Sequence, residues 1–121
     1  MSKPWAYLAL LAIVAFPAAR AADQPDGAAL FGRRCGGCHS LDTDKEGPHL
    51  RDVYGRKAGQ VHGFVYSEAL KKAGTTWDEP TLDKWLTEPG DLVPGTEMDF
   101  RVPGAEERKD IIAYLKHLSE K

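Results

Sequence analysis

The chain's only two cysteines stand in Cys35-Gly36-Gly37-Cys38-His39, two thiols separated by two glycines and followed at once by an imidazole. Four chemistries use such a group. A structural zinc site needs four ligands, usually from two Cys or His pairs, and no second pair exists. A redox dithiol belongs in a βαβ pattern, whereas this sequence reads as loops and helices. A plain disulfide leaves the histidine without a role. Covalent attachment of a haem uses all three side chains: two thioethers anchor the porphyrin, and the adjacent imidazole becomes an axial iron ligand. The pentad by itself favours haem and leaves the other three open.

An iron held by His39 has an opposite face, and what fills that face sets the chemistry. A methionine sulfur makes an electron-transfer centre; an open position makes a ligand-binding or peroxidase-like one. Beyond Met1 the chain has a single methionine, Met98, in "VPGTEMDF". Methionine is ordinarily core filler, but here it sits among Pro, Gly, Thr, Glu and Asp, where a ligand is the better reading. The rival imidazoles fit surface roles. His117 falls in the last turn of a helix, where a cation suits the dipole, and His49 and His62 fall in loops.

These groups need elements to carry them. Asp26 can cap a helix that runs through Leu30, Phe31 and Arg34 into the cysteines, with residues 22–26 polar and frayed. Residues 40–63 carry many breakers (Gly47, Pro48, Gly55, Gly59, Gly63) and little periodicity, so they are expected to form an ordered loop. A loop that long needs something to wrap around. Ser67 can cap a short helix "EALKKA" that stops at Gly74. Asp78 can cap another, "EPTLDKWLTE", with Pro80 in its first turn and Pro89 ending it. "PGDLVPGTEMDF" is expected to be helix-free. "GAEERKDIIAYLKHLSEK" has acids at its start, lysines near its end, and Ile111, Ile112, Leu115 and Leu118 at helical spacing. No segment alternates with strand period for long, and no repeat is present.

The 121 residues open with an apolar run from Pro4 to Ala19 behind Lys3. Ala19-Arg20-Ala21 gives a small-x-small cleavage pattern, so residues 1–21 read as a cleaved secretory signal, with no stable membrane insertion afterwards. A membrane anchor needs ~20 uncharged apolar residues, and Pro17 and Arg20 interrupt this run. Residues 22–121 then form one small domain whose core profits from a staple such as a buried cofactor. Losing Lys3 and Arg20 takes the formal charge from −2 to −4, which argues against nucleic acid as a partner.

The ordered motifs resemble those of class I c-type cytochromes, in the subgroup of mitochondrial cytochrome c and its bacterial periplasmic relatives. They comprise Gly27 and Phe31, Cys35 to His39, "GPHL" at 47–50, "YGRKAG" at 54–59, "GFVYSEAL" at 63–70, Trp77, "VPGTEMDF" at 93–100 and "RKDIIAYL" at 108–115. The resemblance implies an all-α fold, helices and long loops wrapped around one covalently attached haem c. In that fold the first and last helices cross, Gly27 allows close approach, and Phe31 packs near Tyr114. It implies His39 and Met98 as axial ligands, and the Pro48 carbonyl as the acceptor that orients His39. Arg56, Tyr66 and Trp77 correspond to groups around buried haem propionates, Thr96 lies beside the Met98 loop, and Trp85 lies on the methionine side. A propionate taken out of water needs such donors.

Some positions depart from the mitochondrial pattern. The loop from His39 to Pro48 is shorter. Leu70 and Trp85 replace an Asn and a Tyr, so the methionine side is expected to be drier. Gly90, Asp91 and Glu97 replace lysines around the exposed haem edge, which predicts a less basic docking face and weak salt dependence toward an acidic partner. The expected function is a monomeric one-electron carrier in a bacterial periplasm, with no catalytic residues, meeting redox proteins transiently at the haem edge through less than ~1,200 Å². An electron-accepting subunit of a larger dehydrogenase, or a haem sensor or peroxidase with an exchangeable distal site, are the alternatives.

Overall fold

The apolar side chains of the terminal helices are buried in large part against each other. The structure, a computed structural model, describes residues 2–4, 12–15 and 23–120. The expected cleavage site at 19–21 and most of the apolar run before it lie outside the described residues. Five helices follow in order: α1 Asp23–Arg34, α2 Glu68–Lys72, α3 Glu79–Thr87, α4 Pro89–Leu92 and α5 Ala105–Ser119. α1 packs on α5, and α3 touches both α4 and α5.

Two helix boundaries differ from expectation. α1 begins at Asp23, so Asp26 is inside its first turn instead of capping it. Pro25 is compatible with that early start, since a first-turn residue gives up no intrahelical N–H bond, and Asp26 suits the positive end of the dipole. The segment after α3 is not helix-free: α4 makes one turn, with Pro89 at its first position. Proline both stops α3 and, with its φ preset, starts α4.

The other boundaries follow the expected chemistry. Ser67 accepts from the Leu70 N–H at 3.2 Å, and Gly74 beyond α2 has φ +67°. Asp78 and Thr81 form a reciprocal capping box on α3. Gly27 sits where α1 crosses α5: a Cβ there would lie 2.6 Å from the Asp110 carbonyl oxygen and 2.7 Å from the Tyr114 Cβ. Phe31 and Tyr114 meet with ring centroids 5.8 Å apart. Leu30, Ile111, Ile112 and Leu115 complete this crossing as buried residues.

Arg108 joins α5 to the rest. Its guanidinium donates to Asp83 on α3 at 2.8 Å and to the carbonyls of Val102 and Pro103 at 3.0 and 2.9 Å. Between α1 and α2 the backbone is all turn. It is pinned by an isolated bridge, Lys57 to Thr76, and by a bond from Trp77 N–H to the Arg56 carbonyl at 2.9 Å. That bond sets Arg56 and Trp77 side by side despite their separation in sequence.

Candidate functional site

α1 delivers the cysteine motif without a break. The Cys35 and Gly36 N–H groups both donate to the Phe31 carbonyl, at 2.8 and 3.0 Å, and His39 N–H donates back to Cys35 at 2.8 Å. The helix thus ends in tight turns that present Cys35, Cys38 and His39 together. No disulfide joins Cys35 and Cys38. Burial pushes the Cys35 thiol up to about 11, opposite to the depressed pKa of a redox-active dithiol.

The His39 ring is held from two sides. Nδ1 lies 2.8 Å from the Pro48 carbonyl oxygen. A carbonyl can only accept, so Nδ1 carries the proton and Nε2 keeps its lone pair free for a metal. Gly47 closes the other side: a Cβ there would lie 2.6 Å from His39 Nδ1 and closer still to Cε1. Gly47 N–H donates to the Cys38 carbonyl at 2.8 Å, which locks this strap onto the motif. Burial lowers the His39 pKa, Pro48 opposes that, and Arg56 and Lys45 add to the lowering. The imidazole is therefore neutral at neutral pH, the form that binds metal.

Met98 stands on a loop anchored at both ends by buried valines. Val93 N–H donates to Pro89 O at 2.9 Å, and Val102 N–H to Leu86 O at 2.8 Å, with Val93 and Val102 buried. Gly95 turns the loop at φ +87°, and Met98 N–H donates to Thr96 Oγ1 at 3.3 Å. Met98 is half-buried against the core.

These pieces enclose one deep cleft of about 610 Å³, inside the ~300–1,000 Å³ usual for ligand and cofactor sites. Cys35, Cys38 and His39 line it, and so does Met98. Its apolar wall includes Leu70, Leu82, Leu86, Ile111 and Leu115, with the Trp77 and Trp85 rings packed 5.1 Å apart at 59°. All eight pocket residues expected from the sequence have a place here. Pro48, Arg56, Tyr66, Trp77, Trp85 and Thr96 line the cleft along with the two cysteines.

The polar groups on that wall fit a group that carries carboxylates. Arg56 is half-buried, donates to the His49 carbonyl at 3.1 Å, and has no ion-pair partner among the described residues. Burial lowers its pKa, while Tyr66, Asp52 and Asp44 act in the other direction. A sheltered guanidinium without a counter-ion is ready for an anion. Tyr66 Oη accepts from the Val61 N–H at 3.1 Å, which leaves its own O–H free to donate. An apolar cleft lined by two thiols, an imidazole and a thioether, with guanidinium and phenol donors among its lining residues, fits haem.

Sequence reasoning missed the work of Gly47 and the nearby polar strap. Asp44 Oδ1 accepts from both the N–H and the Nδ1 of His49, at 2.9 and 2.8 Å, and so holds the residue whose carbonyl positions Arg56. The one signal for Gly47 was its place before Pro48.

A family model for cytochrome c matches residues 25–119. A cytochrome c2 iso-2 of Magnetospirillum molischianum is 45% identical over 100 residues, covering 80% of this chain and 99% of the relative. A cytochrome c of Euglena viridis is 43% identical over 101 residues, covering 81% and 99%. Among solved structures, cytochrome cH from Methylobacterium extorquens superposes with a TM-score of 0.74 at 41% identity, over 78% of this chain and 98% of that one. With the family match running from residue 25 to 119, through nearly all of α1 and α5 and every residue that lines the cleft, the chain belongs to the cytochrome c family, whose members carry electrons on one covalently attached c-type haem iron.

Proposed function

We propose that this protein is a one-electron shuttle in a bacterial periplasm, exported by residues 1–21 and functional as residues 22–121. Cys35 and Cys38 hold the haem by thioether bonds, and His39 and Met98 ligate its iron. The bound haem supplies a one-electron Fe(III)/Fe(II) couple. One observation carries the reading: His39, its Nε2 freed by the bond from Nδ1 to Pro48, shares a cleft with both cysteines and with the chain's single methionine beyond Met1.

The protein's own residues then have distinct tasks. Pro48 and Gly47 fix the imidazole plane and tautomer, so His39 need not reorient when the charge on its ligand site changes. The soft thioether of Met98 favours the reduced state and raises the potential relative to two imidazoles. Arg56, Tyr66 and Trp77 offer donors to propionate oxygens, which are costly to bury without them. Leu70, Trp85 and Leu86 line the cleft together with Met98, and apolar neighbours there support the expectation of a drier pocket. The relatives are electron carriers, and a shuttle of this kind needs no catalytic residue.

Purified holoprotein tests the ligand set directly. The ferric wild type should show the weak charge-transfer band of methionine-ligated haem, and its reduced form should not take up CO at neutral pH. Met98→Ala should lose the band, bind CO when reduced and titrate at a lower potential. A colourless wild type, or a variant with unchanged spectrum and potential, would overturn the assignment.

A further inference from the structure

We infer that the mouth of the haem cleft is an acidic docking face, and that it fits a redox protein presenting lysine or arginine side chains opposite Glu97 and Asp99. The inference rests on the electron-carrier reading above and adds the chemistry of the partner. Electrons must cross this mouth, so whatever is exposed on its rim meets the partner. On the Met98 side the rim consists of Glu97, Asp99 and Phe100, all exposed and all lining the cleft.

Charge on this side is uncompensated. From Glu88 to Arg101 the chain carries four carboxylates and one cation. That cation, Arg101, is engaged by Glu88 through two donated bonds, the second at 2.9 Å. It approaches Asp99 only at 3.7 Å, and the Asp99 side chain is 85% exposed. Glu97 makes no ion pair or hydrogen bond among the described residues. The opposite wall keeps one unpaired cation among the described residues, the exposed Arg33, because Arg34 is paired with Glu107 at 2.9 Å; the acidic character therefore belongs to the Met98 side of the mouth.

Phe100 gives the face its apolar contact. It is 41% exposed, and Glu97 and Asp99 precede it on the same rim. An aromatic ring flanked by charge is the pattern of a small transient interface, in which the ring packs and the charges choose the partner. Two carboxylates beside the contact repel an acidic partner and attract a basic one, and such steering changes association rates by ~10–10³-fold.

Voltammetry of the holoprotein on coated gold tests this without knowing the natural partner. The probes are monolayers ending in ammonium groups or in carboxylates, at low ionic strength. Electron transfer should be at least ~10-fold faster on ammonium. The double variant Glu97→Gln with Asp99→Asn should lose that advantage about tenfold. Glu79→Gln with Glu120→Gln removes the same charge away from the cleft and should leave the rate near wild type. Added salt should slow the ammonium reaction as the Debye length falls to ~8 Å near 0.15 M. A preference for carboxylate, or an equal loss in both double variants, would overturn the inference while leaving the electron carrier intact. The wild-type comparison alone decides if the first double variant disturbs Met98. A protein with no redox wave on any surface would instead remove the electron-carrier reading and this inference with it.

Discussion

Replacing Gly27 by alanine adds one methyl group at the crossing of α1 and α5, and the structure says what that methyl meets. Its Cβ would be 2.6 Å from the Asp110 carbonyl oxygen and 2.7 Å from Tyr114 Cβ, whereas ordinary contact begins at 3.4 Å. One of these atoms is backbone and the other is fixed to it, so neither can rotate away. The helices must separate by several tenths of an ångström, which also loosens the Phe31–Tyr114 contact at 5.8 Å. Overpacking of this kind costs up to about 3 kcal/mol, and the helix gains back about 1 kcal/mol from losing a glycine. The net loss is about 2 kcal/mol, which lowers Tm by roughly 8–16 °C for a domain of this size. Gly32 provides the control, because on the same helix its added Cβ would meet nothing within 4 Å. Gly32→Ala should therefore stabilise by ~0.5–1 kcal/mol. Thermal unfolding of both holoproteins, followed by circular dichroism, measures the pair. If Gly27→Ala melts at or above wild type, or if the two variants shift together, close packing at the crossing is not what holds α1 to α5.

Gly47→Ala should push the His39 ring out of its seat, and the expected outcome is holoprotein in low yield with a shifted midpoint potential; a normal spectrum and potential would show that the strap is pliable. Arg108→Ala removes the donor to Asp83, Val102 and Pro103. It should cost about 2–3 kcal/mol, read as a lower denaturant midpoint at unchanged m-value. Asp78→Asn should keep the helix cap but change the acid limb of stability. The Thr81 backbone N–H, then its hydroxyl, hold the Asp78 carboxyl below its ordinary 3.8. That contribution is therefore complete above pH ~3.8 and is lost as pH falls through the lower folded value. Stability measured against pH should fall less steeply below pH 4 in Asp78→Asn, and an identical acid limb would contradict the cap's ionisation.

The covalent motif, the candidate sixth ligand and the three longer helices could be read from residue order, because their signals are local. Two thiols and an imidazole within five positions, a methionine in a polar loop, and apolar residues at helical spacing need no knowledge of distant chain. The boundaries that went astray were also local, but there the signals competed. Pro89 can end one helix and open the next, and Asp26 can cap a helix or sit within its first turn, so residue order alone does not choose between them. Other features had no signature in the order of residues at all. Gly47 matters because the chain folds back until an added Cβ would overlap an imidazole eight positions earlier. Arg56 lacks an ion-pair partner because Asp44 turns to His49, and Asp52, although close enough to act on Arg56, forms no ion pair with it. The acidic rim of the cleft likewise depends on Arg101 turning to Glu88 and Arg34 to Glu107. Sequence supplies the chemical groups, whereas the fold decides which charges cancel and which remain exposed, because Coulomb interactions depend on distance in space and not along the chain.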